Sequence, residues 1–154
     1  MSRTDSACRV IHADVQRVFA ALVDPAALAE WLPPNGMTGR FEHFDARPGG
    51  SYRLVLTYTD GLTGGGKTTP VSDVVEVRFV DIVPGVRVAQ AVDFVSDDPA
   101  FAGTMDMTWE SSALENHTRV TVRAENVPSG ISPKDHEVGL SSSLVQLETY
   151  LHRR

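Results

Sequence analysis

Eight consecutive residues, Gly61-Leu62-Thr63-Gly64-Gly65-Gly66-Lys67-Thr68, match the phosphate-binding loop pattern G-x-x-x-x-G-K-[ST] letter for letter. That chemistry requires a helix directly after the Lys-Thr pair, whose N-terminal amides and dipole hold the phosphate. Thr69-Pro70 and an alternating run from Val75 to Phe79 follow instead, so the segment reads as a hairpin loop and not as a nucleotide site. His12, His43, His117, His136 and His152 lie far apart, with no H-x-H or H-E-x-x-H spacing to aim two imidazoles at one metal. Cys8 is the only cysteine, which leaves no intrachain disulfide and too few thiolates for a sulfur-ligated metal. Ser141-Ser142-Ser143 lacks the G-x-S-x-G elbow and falls within a predicted helix, where small residues serve packing. No catalytic constellation, metal site or cofactor is expected from these residues.

The more informative polar residues are those set on apolar faces. Gln90 alternates with Val88, Val92 and Phe94, so its amide either orients a ligand or bridges to backbone. Tyr52 and Tyr58 present hydroxyls that could donate to a ligand carbonyl, although aromatic packing with a wet tip is the commoner use. His136 sits four residues before Leu140 on a leucine stripe, which aims it toward a cavity mouth; the plain alternative is a hydrogen bond to a loop carbonyl. Trp31, beside Pro33-Pro34, belongs either to an entrance or to the core.

The elements that position these residues follow from periodicity. Ala7 to Ile11 alternates as a short strand, and Asp14 to Val23 then places Val15, Val18, Phe19 and Leu22 at helical spacing. Asp24-Pro25 ends that helix and begins a second, with Asp as cap and Pro in the first turn; Leu28, Trp31 and Leu32 share its face. From Met37 to Val122 the period becomes two, broken by turn residues, as in an antiparallel meander. Phe41 to Asp45 is one strand; Tyr52, Leu54, Leu56 and Tyr58 face inward on the next; Val75, Val77 and Phe79 define another. Val83-Pro84-Gly85-Val86 has the residues of a type II turn. Met105, Met107 and Trp109 then share a face, Glu115-Asn116 turns the chain, and Val120, Val122 and Ala124 point inward. Ser132 as cap, Pro133 in the first turn and Asp135 at the positive end start a helix of about five turns. Its stripe is Leu140, Leu144, Leu147 and Leu151.

A strand, two short helices, a run of hairpins and a long terminal helix make an α+β domain, since helices do not alternate with strands. With 154 residues and 42% hydrophobic content, one domain with a substantial core is expected. A net charge of -6 and the lack of a Lys/Arg cluster speak against nucleic acid. Met1 to Val10 has no apolar leader region and no run is long enough to span a bilayer, so a cytoplasmic protein with no membrane partner is expected.

The order of these strings resembles the START-like (SRPBCC) superfamily, in its activator-of-Hsp-ATPase homologue branch, over nearly the whole chain. The strings are Phe19 with Asp24-Pro25 and Leu28 to Trp31, then Gly36-Met37-Thr38-Gly39, Phe44-Asp45 and Arg47-Pro48-Gly49-Gly50. The last is Asp135-His136-Glu137 with Leu144, Leu147 and Leu151. The resemblance implies the helix-grip fold, a curved antiparallel sheet closed by the C-terminal helix around a cavity, and small apolar or amphipathic ligands. It does not imply a catalyst, because members of the superfamily include cyclases, lipid and hormone binders, and a stimulator of a chaperone ATPase.

The expected ligand site is therefore a cavity bordered by Trp31, Tyr52, Leu54, Val77, Phe79, Gln90, Met105, Met107, Trp109, His136, Leu140 and Leu144. Its expected occupant is a small apolar or aromatic molecule. A cyclase- or hydrolase-type enzyme using His136 or Tyr52 as proton donor is the alternative, and a chaperone co-factor acting through its surface is the third. Homodimerisation is compatible with this class.

Overall fold

The computed structural model describes residues 3–59 and 72–153. The phosphate-loop-like stretch at 61–68, expected as a hairpin loop, lies outside the described residues. The strands are β1 (Thr4–Ile11), β2 (Met37–Phe44), β3 (Ser51–Tyr58), β4 (Ser72–Val83), β5 (Arg87–Val95), β6 (Thr104–Leu114) and β7 (His117–Glu125). The helices are α1 (Val15–Val23), α2 (Pro25–Trp31) and α3 (Pro133–His152). The strands form one antiparallel sheet in the order β1-β7-β6-β5-β4-β3-β2, so the first strand pairs with the last. This is the expected α+β helix-grip architecture.

The helix starts follow their capping chemistry. The Asp14 carboxylate accepts from the Arg17 amide, Asp24 from the Ala26 amide and the Ser132 hydroxyl from the Asp135 amide, each satisfying an otherwise orphaned donor. The predicted turn at Val83–Val86 closes with a Val86 N–H to Val83 carbonyl bond of 2.9 Å, and Gly85 takes φ +72°. Gly50 is required by crowding, since a Cβ there would lie 2.2 Å from the Asp45 carbonyl oxygen. Register shifts at Phe41/His43 on β2 and Phe79/Asp81 on β4 mark bulges, the device that bends a sheet.

Two strands begin earlier than expected. β1 pairs with β7 from Thr4↔Glu125 onward, and β2 pairs with β3 from Met37↔Tyr58, whereas the alternation in sequence marked only Ala7 to Ile11 and Phe41 to Asp45. Both are edge strands, and their added residues are mostly exposed or half-exposed, so burial imposes little apolar pattern on them. Charged residues on the outer face pair across strands. Arg53 bridges Glu42 and Glu76, and Arg78 lies 4.0 Å from Asp93.

The inner face of the sheet carries the core. Val120, Val122 and Ala124 of β7 are fully buried, as are the leucines of α3. Helix α3 packs along β1, held by two polar clasps. The His136 ring meets Asp5 at 2.8 Å near the helix start, and Arg9 reaches Glu148 at 2.8 Å near its end. The helix therefore covers the β1–β7 side of the sheet. Strands β3 to β6 are left for α1, α2 and an unfilled space.

Candidate functional site

That space is a cavity of about 220 Å³. Its floor is the inner face of four strands: Tyr52, Leu54 and Leu56 of β3, Val75 and Val77 of β4, Gln90, Val92 and Phe94 of β5, and Met105, Met107 and Trp109 of β6. Its wall is Leu22 of α1, Leu28 and Trp31 of α2, then Leu32 and Pro34. Helix α3 adds only His136 and Ser143. Alternation puts every second strand residue into this lining, and two thioethers among the ring systems give it surfaces that adapt to shape.

Most residues expected at the site come together here: Trp31, Tyr52, Leu54, Val77, Gln90, Met105, Met107, Trp109 and His136. Phe79, Leu140 and Leu144 do not line the cavity. Phe79 is buried among Phe44 and Tyr52, with ring centroids 6.0 and 5.7 Å away. Leu140 and Leu144 are buried in the core because α3 rests over β1, so its leucine stripe meets filled core and not empty space. Leu22, Leu28, Val75, Val92 and Phe94 were missed as lining residues, although their apolar spacing was visible; nothing local says which part of an apolar face borders a void. Ser141 and Ser142 are exposed and Ser143 turns to the cavity, so the serine run does not serve helix packing. Ser143 donates to the Gly139 carbonyl at 3.1 Å.

Four polar side chains line the cavity: Tyr52, Gln90, His136 and Ser143. Burial pushes the Tyr52 phenol well above its ordinary value, against the opposing effect of a hydrogen bond with the Gln90 side chain. Tyr52 thus stays protonated, without a wet tip, and Gln90 pairs with it and not with backbone. His136 Nδ1 lies 2.8 Å from Asp5 Oδ2, so its partner is a carboxylate on β1 and not a loop carbonyl. Arg3 donates to the same oxygen through Nε at 3.2 Å and a terminal nitrogen at 3.0 Å. Trp31 is both core and lining. Its indole N–H donates to the Ala21 carbonyl at 2.9 Å, and its ring meets Trp109 edge-on with centroids 5.6 Å apart.

The clasps predict an acid limb. Burial pushes the Asp5 carboxyl up, but hydrogen bonds and charge from His136 and Arg3 outweigh it and hold it below its ordinary value. Glu148 is likewise held low, burial being outweighed by Arg9 and the His12 amide. A carboxyl depressed in the folded state stabilises fully above its unfolded pKa of about 4, and that contribution is lost as pH falls through the lower folded value. Urea denaturation midpoints should therefore fall steeply below about pH 4, and the Asp5→Asn/Glu148→Gln double variant should show a shallower fall. Equal slopes would contradict the clasps.

Three histidines distant in sequence also meet at the surface: the His12 ring centroid lies 4.2 Å from that of His117 and 6.4 Å from that of His152. Among the described residues no three His, Cys, Asp or Glu side chains are arranged to hold a metal ion. Among the described residues no helix is long and apolar enough to cross a membrane.

A curved seven-stranded sheet gripping a C-terminal helix, with a cavity between sheet and helices, defines a START-like protein of the helix-grip class. The chain belongs to the Activator of Hsp90 ATPase homolog 1-like protein family, whose profile matches residues 12–152. The crystal structure of a Chromobacterium violaceum protein is similar at TM-score 0.83 and 28% identity, covering 96% of each chain. A solution structure from Arthrobacter aurescens is similar at TM-score 0.78 and 22% identity, covering 98% of this chain and 87% of that one. DynU16, of the dynemicin biosynthetic locus, shares the fold at TM-score 0.70 and 19% identity; the match covers 97% of this chain and 47% of DynU16. No curated protein matches the chain.

Proposed function

We propose that this protein binds a small apolar or aromatic molecule in the cavity between β3–β6 and the helices. The carrying observation is a cavity of about 220 Å³ whose lining is almost wholly apolar, with polar side chains confined to Tyr52, Gln90, His136 and Ser143. An apolar wall with a few placed polar groups is what recognition of a small molecule requires. Membership of a family that typically binds ligands in this cavity supports the reading. Native mass spectrometry of protein purified from its own host tests it. A defined apolar molecule released on denaturation, at near-unit occupancy, is expected. Protein that is empty, and that binds no apolar probe added to it, overturns the reading.

Turnover in the same cavity is a second reading, favoured by the His136–Asp5 pair. Tyr52 is a poor proton donor for it, because its phenolate would be stranded in an apolar wall. A bell-shaped pH–rate profile that collapses in His136→Ala would establish turnover.

A further inference from the structure

We infer that His136 is the proton-exchanging group of the cavity, and that the ligand carries one acidic hydroxyl of the phenol or enol class; this rests on the cavity being the ligand site. Asp5 of β1 pairs with Ala124 of β7, Ala124 with Met107 of β6, and Met107 with Gln90 of β5, so the four form one row across the inner face. Three strand spacings of about 4.8 Å put the Cα atoms of Asp5 and Gln90 about 14 Å apart. Ala124 contributes only a methyl, leaving Met107 as the one long side chain between the ends. The row is an apolar trough with His136, seated on Asp5, at one end and the Gln90–Tyr52 pair at the other.

The His136 end is oriented for proton exchange. Asp5 is held ionised by Arg3 and so acts only as an acceptor, which places a proton on His136 Nδ1. Nε2 is then the nitrogen left for a ligand, and among the described residues it has no hydrogen-bond partner. The His136 side chain keeps 13% of its surface accessible and lines the cavity, against 8% for Asp5. The other charged groups of the first helical turns, Lys134, Asp135 and Glu137, are exposed.

When a phenol or enol reaches Nε2, its O–H bond breaks, an N–H bond forms, and the electron pair stays on the ligand oxygen. The resulting oxyanion and imidazolium join the Asp5 carboxylate and the Arg3 guanidinium, a cluster of two positive and two negative charges with no net charge to bury. A carboxylate ligand fits poorly. It presents two oxygens with about four acceptor sites, while Nε2–H is a single donor and the Ser143 hydroxyl is already given to the Gly139 carbonyl. A neutral arene gains nothing from His136.

The test uses para-nitrophenol and nitrobenzene, which differ only by the hydroxyl, with affinity read from quenching of Trp31 and Trp109 at the cavity wall. The natural protein should bind para-nitrophenol at least about tenfold more tightly. The phenolate absorbance of the bound probe should appear about one pH unit lower than in water, the same factor of ten. In His136→Gln the ratio of the two affinities should fall to near one and the absorbance shift should vanish. Asp5→Asn, which keeps an acceptor for Nδ1–H but removes the balancing charge, should cut the ratio at least about threefold and serves if the glutamine variant does not fold. Equal affinities in the natural protein, or an absorbance shift that persists in the folded variants, overturn this inference and leave the cavity reading standing. Failure of both probes to bind overturns the two together.

Discussion

Replacing Trp31 with Ala should cost about 3–5 kcal/mol of stability, the range for truncating a fully buried large aromatic. Trp31 is 2% exposed and joins three parts of the molecule. Its N–H satisfies the Ala21 carbonyl in the last turn of α1, a group that has no partner within its own helix. Its ring packs edge-on against Trp109 of β6 at 81° between planes. Its carbonyl accepts from the Gln146 amide at 2.5 Å, tying α2 to α3. The site cannot collapse to fill the vacated volume, because it already borders a cavity. For a domain of this size each kcal/mol shifts the melting temperature by about 2–4 °C, so a loss of about 6–20 °C is expected in a thermal scan. Trp31→Phe keeps most of the bulk and loses the N–H, and should cost about 1–3 kcal/mol. An alanine variant as stable as the natural protein would show that α2 is not held as described.

The largest functional effect is expected at Met107, where Met107→Trp should weaken nitrobenzene binding at least about a hundredfold while the domain stays folded. Inserting bulk into a filled core costs about 1–3 kcal/mol through strain. Here the indole enters space that is already empty, above Ala124 and between Gln90 and the Asp5 end of the row, so most of that cost is avoided. The measurement is a pair: affinity by titration, and stability by urea denaturation. A folded variant with undiminished affinity would place the ligand elsewhere on the molecule.

Much of this fold was legible because each element carries its own local signal. Asp14, Asp24 and Ser132 announce helix starts through side chains that bond the next turn, and Tyr52, Leu54 and Leu56 announce an inward face through a period of two. The edge strands were legible only in part. Thr4 to Ser6 and Met37 to Arg40 are ordered by pairing with β7 and β3, and their outward exposure removes the burial pressure that writes alternation into a sequence.

The sequence by itself determined which face of each strand and helix is apolar, and therefore an α+β domain with Trp31, Gln90, Met107 and Trp109 on apolar faces; the helix-grip arrangement was what the family resemblance implied. Only the tertiary structure decided which strands the long helix covers. Because α3 lies along β1, Leu140 and Leu144 pack into core, and the empty volume falls over β3 to β6. Only the tertiary structure joined His136 to Asp5, whose positions differ by 131 in the chain. The reason is physical. Periodicity is a property of neighbours along the chain and fixes the direction of a side chain, whereas a void and a cross-chain ion pair depend on how distant elements stack.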